Sequence, residues 1–204
     1  MTHSNWKGSS GWGSVKDPTG VLGNIVLQAS AGNRQLCQDY LIQEIGTSNA
    51  FNKAHYEIKC DFASSSDNVF NGSIALCARV SDYTTSTKTP LVPQKLYRGI
   101  VDFFRQEVYI SRIFNNEEKL IATTKLPLKM GPNVKYSFSF ICYGNGTVGG
   151  THLAIKINNK NILQCMDNEG RQILSGTPGL QIQSGVIYVD NFAVFELDQD
   201  GNPA

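Results

Sequence analysis

Apolar side chains recur at every second position along most of this chain, and that period limits what it can fold into. Residues 54–62 show the pattern most clearly, with five apolar side chains separated by histidine or charged ones. Residues 73–80 and 136–142 repeat it. Successive side chains of a strand point to opposite faces, so each segment is predicted as a strand with one buried face. No window of a dozen residues carries a helical stripe, and the sequence therefore predicts an all-β protein.

Asparagine-rich turns join the predicted strands. Strands near Glu107–Phe114 and Lys119–Thr124 are connected by residues 115–118, and residues 158–161 form a second turn of the same kind. Asparagine tolerates the left-handed backbone that tight hairpins need. Because no crossover helices separate the strands, they must pair mainly antiparallel, which predicts a two-sheet sandwich.

The 204 residues suit one large β-domain. We expect the sandwich to span residues 31–197, after an irregular Gly/Ser-rich arm (1–30) and before a short tail (198–204). The five cysteines are odd in number and form no C-x-x-C pair, which argues against a disulfide or zinc framework. Cys60 and Cys142 fall on apolar strand faces and are predicted to be small core residues.

The charge distribution limits the partners that this chain can have. Its 18 basic and 17 acidic residues nearly balance and form no basic stripe, so a nucleic-acid partner is not expected. No apolar run approaches the roughly 20 residues needed to span a bilayer, so we expect no membrane insertion. The first seven residues contain no apolar export segment, which predicts synthesis in the cytoplasm without a signal peptide.

The last predicted strand pair consists of Gly179–Gln183 and Val186–Leu197. The two stretches that overlap it, Gly176–Ile182 and Gly185–Val194, show the pattern most characteristic of a known fold. They combine a Gly-x-x-Gly-Leu turn, a strand, an Asp-Asn step and a final apolar strand. This order resembles the concanavalin A-like lectin/glucanase superfamily, in particular laminin-G-type and keto-disaccharide-hydrolase-like domains. The resemblance implies a concanavalin A-like jelly roll. It does not choose a function, because that superfamily includes lectins, carbohydrate-binding modules, glycosidases and virion proteins.

A search for catalytic patterns finds none in a suitable place. Glycosidases of the resembling superfamily carry carboxylates at alternate strand positions, and retaining chemistry needs two carboxyls about 5–5.5 Å apart. The nearest match, Glu196–Asp200, lies at the last residues of the chain and lacks a third Glu. Residues 144–149 spell G-x-G-x-x-G, but a strand follows where a phosphate site needs a helix. We therefore expect no catalytic residues and no enzyme activity.

Metal sites and cofactors leave few marks in this sequence. The three histidines have no ligand spacing, so zinc is not expected. Calcium stays open, because oxygen ligands give weak signals. The resemblance makes Asp190 the one calcium candidate, since related carbohydrate-binding modules hold a structural calcium near that position. The alternative is an aspartate that accepts backbone amides in a sharp bend. No other cofactor is expected.

Sugars stack on aromatic rings and hydrogen bond to charged and amide side chains, which suggests where a glycan would bind. The candidates lie on predicted water-facing strand positions, with one in the long 81–94 loop. They are Arg79, Tyr83, Arg98, Asp102, His152 and Lys156.

The leading functional hypothesis is a non-catalytic structural or decoration protein of a larger, virion-type particle, whose lectin-like sandwich also contacts surface glycans. The arm carries Trp6 and Trp12, which are candidates for contacts with other subunits of a homo-oligomer. A stand-alone carbohydrate-binding module is the alternative, and a glycosidase-like enzyme is the third possibility.

Overall fold

The computed structural model describes residues 6–8, 12–23, 25–31, 38–43, 53–64, 72–83, 93–144, 149–169, 173–183 and 185–204. These residues form fourteen strands in two antiparallel sheets of seven. Sheet A contains, in spatial order, β1 (Trp6–Gly8), β4 (Gln38–Gln43), β13 (Thr177–Gln183), β6 (Ser73–Tyr83), β7 (Pro93–Asp102), β8 (Glu107–Phe114) and β9 (Glu117–Lys125). Sheet B contains β12 (Lys160–Asp167), β11 (Thr151–Ile157), β10 (Tyr136–Tyr143), β5 (Tyr56–Ser64), β14 (Gly185–Glu196), β3 (Ile25–Ala31) and β2 (Trp12–Lys16). Within this described part, no helix is long and apolar enough to cross a membrane.

The two predicted asparagine turns are confirmed. Asn115 and Asn116 have φ values of 53° and 66°, and they join β8 to β9. Asn158 and Asn159, with φ values of 50° and 62°, join β11 to β12 in the same way. Two consecutive residues with positive φ match the right-handed twist of the flanking strands, so each turn keeps its hairpin in register.

The predicted last strand pair is wrong as a pair. β13 hydrogen bonds to β4 and β6 in sheet A, whereas β14 bonds to β3 and β5 in sheet B. The connection between them therefore crosses from one sheet to the other. The period of two tells which residues face inward, but it does not tell which sheet a strand joins.

The core lies between the inner faces of the two sheets. β5 and β11 alternate buried and partly buried residues along their length, as the period of two predicts. Cys60 and Cys142 are fully buried there, which confirms them as core residues. The ring of Phe62 packs against those of Phe103, Tyr136 and Phe138, with centroids 5.6–6.1 Å apart. Such aromatic contacts add stability beyond the buried area alone.

The ring of Phe140 in sheet B packs against the backbone of strand β7 at Gly99. A Cβ atom added to Gly99 would lie 2.8 Å from Cγ of Phe140, whose ring is fully buried. Replacing Gly99 with alanine is expected to lower the free energy of unfolding by about 2 kcal/mol, because a packed core cannot move aside. Urea unfolding measures this change. Gly131→Ala is the matched control, since nothing lies within 4 Å of its added Cβ atom, and an equal loss in both variants would contradict the prediction.

Both ends of the described chain contribute ordered structure. The arm predicted as irregular instead contains β1, β2 and most of β3, and β1 and β2 lie at the edges of sheets A and B. The predicted tail folds back after β14, so that Leu197 pairs with Pro203. The Asp198 carboxylate closes this turn by accepting hydrogen bonds from the backbone N–H groups of Asp200 and Asn202, at 2.9 and 2.8 Å.

Candidate functional site

The face of sheet A that points away from the core is buried to an unusual degree. Alternate residues of β6, β7, β8 and β13 form it, and we call it the outer face of sheet A. Its central residues are Ala75, Cys77, Leu96, Arg98, Ile100, Tyr109, Ser111, Ile113 and Gln181. A solvated sheet face would expose such side chains, so this face is built differently from an ordinary surface.

Small side chains make room on this face for a buried arginine. Arg98 is 1% exposed. Its Nε donates to Oγ of Ser111 at 3.2 Å and its Nη1 to Oε1 of Gln181 at 2.9 Å. Its Nη2 donates to the carboxylate of Glu118, which is half-exposed. A buried guanidinium needs such partners, because an unpaired charge in the interior is costly.

Gln181 has one polar atom that the described residues do not satisfy. Its Oε1 accepts from Arg98, which fixes the orientation of the amide, because a flipped amide would place two donors together. Its Nε2 is buried and has no hydrogen-bond acceptor among the described residues. A buried donor of this kind is rare in folded proteins.

Three further side chains extend the outer face of sheet A towards solvent. Tyr109 is partly buried, and its burial raises its pKa, with Asp102 and Glu118 acting in the same direction. Leu120 of β9, which lies opposite Ser111 of β8, is 55% exposed. Glu118, beside it on the same strand, reaches back to Arg98. An aromatic ring and an apolar side chain therefore lie next to a polar network.

A cavity of about 360 Å³ opens beside this face, where β9 and β12 meet as the edge strands of the two sheets. Its lining residues are Arg112, Phe114, Glu117, Glu118, Lys119 and Glu169. Glu118 thus belongs both to the cavity and to the Arg98 network. We call this space the edge cavity.

A buried charge network supports the edge cavity from behind. Nη1 of Arg112 bonds to Oδ2 of Asp167 at 2.6 Å, and the hydroxyl of Tyr97 donates to the same oxygen at 2.9 Å. The side chains of Arg112 and Asp167 are 5% and 4% exposed. Burial lowers the pKa of Arg112, but its bonds to Asp167 and Glu169 outweigh that effect and raise it. The guanidinium is therefore charged and held in a fixed position.

The predicted glycan candidate Arg79 lies in the interior, which corrects its water-facing assignment. Its side chain is fully buried, and it donates to the carbonyl oxygens of Ala54, Ile173 and Gly144 at 2.7–3.0 Å. The φ of Arg79 is 53° and the register of β6 shifts between Ala78 and Ser81. This bulge adds a residue to the strand and so turns Arg79 inward.

The other predicted glycan candidates divide between two opposite faces. Arg98 and Asp102 share the outer face of sheet A. Arg98 is buried there, which corrects its water-facing assignment as well. Asp102 accepts a hydrogen bond from the backbone N–H of Arg105 at 2.9 Å. His152 and Lys156 lie on the outer face of sheet B. There the His152 ring stacks on Tyr143 with centroids 4.8 Å apart. Lys156 pairs with Glu57 at 3.8 Å. The structure thus brings two of these residues together at the site.

Some predicted residues lie outside what the structure describes. The backbones of Trp6, Trp12 and Tyr83 lie in β1, β2 and at the end of β6. Their side chains fall outside the described part of the chain. Their predicted roles in subunit and glycan contacts stay predictions.

The calcium candidate Asp190 takes part in a local backbone contact. Its Oδ1 accepts the N–H of Asn191 at 2.8 Å, and its carboxylate faces the backbone at Gly23. Among the described residues, no group of three or more His, Cys, Asp or Glu side chains is arranged to hold a metal ion.

Sequence reasoning missed Gln181, Arg112 and Asp167, although a signal exists for two of them. Arg112 lies on the same face of β8 as the buried Val108 and Ile110, and Asp167 pairs with the buried Thr151. A charged residue at an inward position of a strand indicates a buried polar network. Gln181 carries no comparable signal.

No protein-family model and no curated protein sequence matches this chain. Several solved structures are similar to it. The carbohydrate-binding module CBM66 from Bacillus subtilis is 16% identical with a TM-score of 0.64, over 93% of this chain and 94% of that one. The exoplasmic/lumenal domain of VIP36 in a Ca²⁺/Man3GlcNAc-bound form is 10% identical with a TM-score of 0.59, over 94% and 84%. A Bacteroides ovatus GH16 protein in complex with a G4G4G3G product is 9% identical with a TM-score of 0.60, over 95% and 96%.

These similarities extend over nearly the whole chain at very low sequence identity, so they bear on the fold. They confirm the predicted concanavalin A-like sandwich.

Proposed function

We propose that this chain is a non-catalytic glycan-binding module and that the outer face of sheet A contacts the sugar. The observation that carries the proposal is the surface formed by Tyr109 and the exposed Leu120 beside the Glu118 carboxylate. The buried Arg98 donates to that carboxylate and holds it in place. The similarity to a carbohydrate-binding module and to the VIP36 domain in its Man3GlcNAc-bound form supports glycan binding.

The chemistry of the face suits a sugar. A sugar ring presents C–H groups on its faces and hydroxyls, which both donate and accept, around its rim. Tyr109 and the exposed Leu120 offer apolar surface to the ring. The half-exposed Glu118 carboxylate offers an acceptor to the hydroxyls. Few polar groups placed within apolar surroundings are the usual composition of a ligand site.

Binding without hydrolysis agrees with the state of the carboxylates on this face. Glycosidases need one carboxyl to donate a proton and a second as nucleophile or base. The described carboxylates here are already engaged: Asp102 with the backbone of Arg105, Glu107 with Lys125 at 2.7 Å, and Glu118 with Arg98. Each of these carboxylates already has a hydrogen-bond donor or a cation as its partner, which favours a binding role.

The proposal predicts that Tyr109→Ala weakens glycan binding about tenfold, because an aromatic contact and its buried area are lost. A glycan array, run with and without calcium, identifies the ligand, and calorimetry measures the affinity of the variant. Tyr143→Ala is the matched control, since this tyrosine lies on the outer face of sheet B against His152. A blank array, or a loss confined to Tyr143→Ala, would argue against the proposal.

The predicted role in a larger, virion-type particle stays a prediction. The same holds for homo-oligomer formation, a bound calcium ion and the place in the cell.

A further inference from the structure

Two cationic side chains, Arg112 and Lys119, meet at the carboxylate of Glu169. This carboxylate accepts a hydrogen bond from Nη2 of Arg112 at 3.0 Å and another from Nζ of Lys119. The hydrogen bond from Lys119 has the largest effect and the one from Arg112 the next, and both hold the pKa of Glu169 below its ordinary value. The group is therefore an anion near neutral pH. Two cationic donors that converge on one carboxylate are the usual means of recognising such a group.

The site does not depend on Glu169 for its shape. Arg112 is held from behind by Asp167 at 2.6 Å, and Asp167 also accepts the Tyr97 hydroxyl. Both arginine and aspartate are buried, so the Nη2 donor keeps its direction when the outer carboxylate leaves. A donor that is fixed before binding loses little entropy when a ligand arrives.

Glu169 itself is placed so that it can leave. It lies two residues beyond the end of β12, and its side chain is 51% exposed. Its backbone N–H bonds to Oδ1 of Asp167 at 3.3 Å, which keeps the main chain close while the side chain reaches into the cavity.

We infer that the edge cavity binds the carboxylate of an acidic sugar, a hexuronate, which displaces Glu169 from Arg112 and Lys119. The inference rests on the proposed function in taking the ligand to be a sugar. The volume of about 360 Å³ lies in the range of small-molecule sites. Phe114 offers an apolar wall to the ring. Glu118 links the cavity to the Arg98 network, so one glycan can reach both sites.

The experiment titrates the ¹⁵N-labelled full chain with D-glucuronate and, separately, with D-glucose, and follows the backbone amide shifts. We expect glucuronate to shift the amides of Arg112, Lys119 and Glu169. In Glu169→Ala the affinity for glucuronate should rise about tenfold, because the competing carboxylate is gone, while that for glucose stays unchanged. Adding Lys119→Ala to Glu169→Ala should remove most of that gain.

Glu107→Ala is the matched control, because Glu107 also pairs with a lysine but lies near the far end of β8 from the cavity. It should leave glucuronate binding unchanged. Thermal unfolding shows whether each variant is folded. No glucuronate response in either the wild type or Glu169→Ala would overturn the inference. An equal gain in affinity for glucose would also overturn it, since the cavity would then not discriminate between a sugar with a carboxylate and one without.

The two proposals fail in different ways. Glycan binding that depends on Tyr109, together with no effect of Glu169 on glucuronate, contradicts the edge-cavity inference alone. A blank glycan array together with the expected Glu169→Ala gain contradicts the role of the outer face of sheet A and supports the cavity.

Discussion

Replacing Arg79 with methionine is expected to lower the free energy of unfolding by about 4 kcal/mol. The guanidinium donates to the carbonyl oxygens of Ala54, Ile173 and Gly144, which belong to three separate connections between strands. Methionine fills a similar volume but donates nothing, so three carbonyl groups lose their partner. A buried group left without its partner costs about 1–3 kcal/mol. Urea unfolding, followed by intrinsic fluorescence, measures the loss as a lower midpoint.

The exposed Arg105 provides the control for this experiment. Its side chain is 69% exposed and pairs with Asp102 only at 3.9 Å. Arg105→Met should therefore change the stability by less than about 0.5 kcal/mol. Arg79→Lys keeps the charge but has one donor group in place of the planar fork, so it should fall between the two. If Arg79→Met were as stable as Arg105→Met, the three carbonyl contacts would not hold the fold.

The strand pattern was predictable because the apolar residues of a strand with one buried face recur at every second position of the sequence. In β5, β10 and β11 the alternation of side chains along the sequence matches the alternation of burial in the structure. The asparagine turns were predictable for a similar reason, since positive φ at two consecutive positions favours asparagine. Both are local properties of a few residues.

The position of Arg79 was not predictable from the period of two. One extra residue in a strand reverses the direction of every side chain beyond it. Gly or Asn at the bulge would have indicated the change, but the residue with positive φ is the arginine itself. The sequence therefore contains no residue at this position that would indicate a bulge.

The division of the glycan candidates between two faces reflects long-range pairing. Arg98 and His152 both alternate with core residues and so both point outward. Whether they share a face depends on the sheet that β7 and β11 join, which contacts far apart in sequence decide. The buried nature of the outer face of sheet A had one local indication, since Cys77 and Ile100 occupy positions that a wet face would give to polar residues. Burial raises the pKa of the Cys77 thiol to about 12, so this residue stays neutral and packs as an apolar side chain.

The two candidate sites meet at the hairpin of β8 and β9. Glu118 bonds to Arg98 on the outer face, while Lys119, the next residue, bonds to Glu169 in the edge cavity. Successive residues of a strand point to opposite faces, so this one hairpin contacts both networks. A ligand that displaces Glu169 from Lys119 would change the contacts of a residue that is adjacent in the chain to Glu118.

Replacing Asp167 with asparagine is expected to lower the free energy of unfolding by about 3 kcal/mol. The change keeps the size of the side chain and removes its charge. Arg112, 5% exposed, would then keep one charged partner, the half-exposed Glu169. A buried cation that loses its buried anion keeps the cost of leaving water without the compensating attraction. Urea unfolding measures this loss, and weaker binding of glucuronate should accompany it because Arg112 loses its fixed position.

Two further variants separate the charge from the packing. Glu169→Gln removes the other partner of Arg112, and it should leave the unfolding midpoint nearly unchanged because that carboxylate is screened by water. Adding Arg112→Met to Asp167→Asn should recover part of the lost stability, since no cation is then left buried without its anion. A double variant that instead loses the sum of both single effects would mean that packing around β12, and not the buried ion pair, holds this edge of the sandwich together.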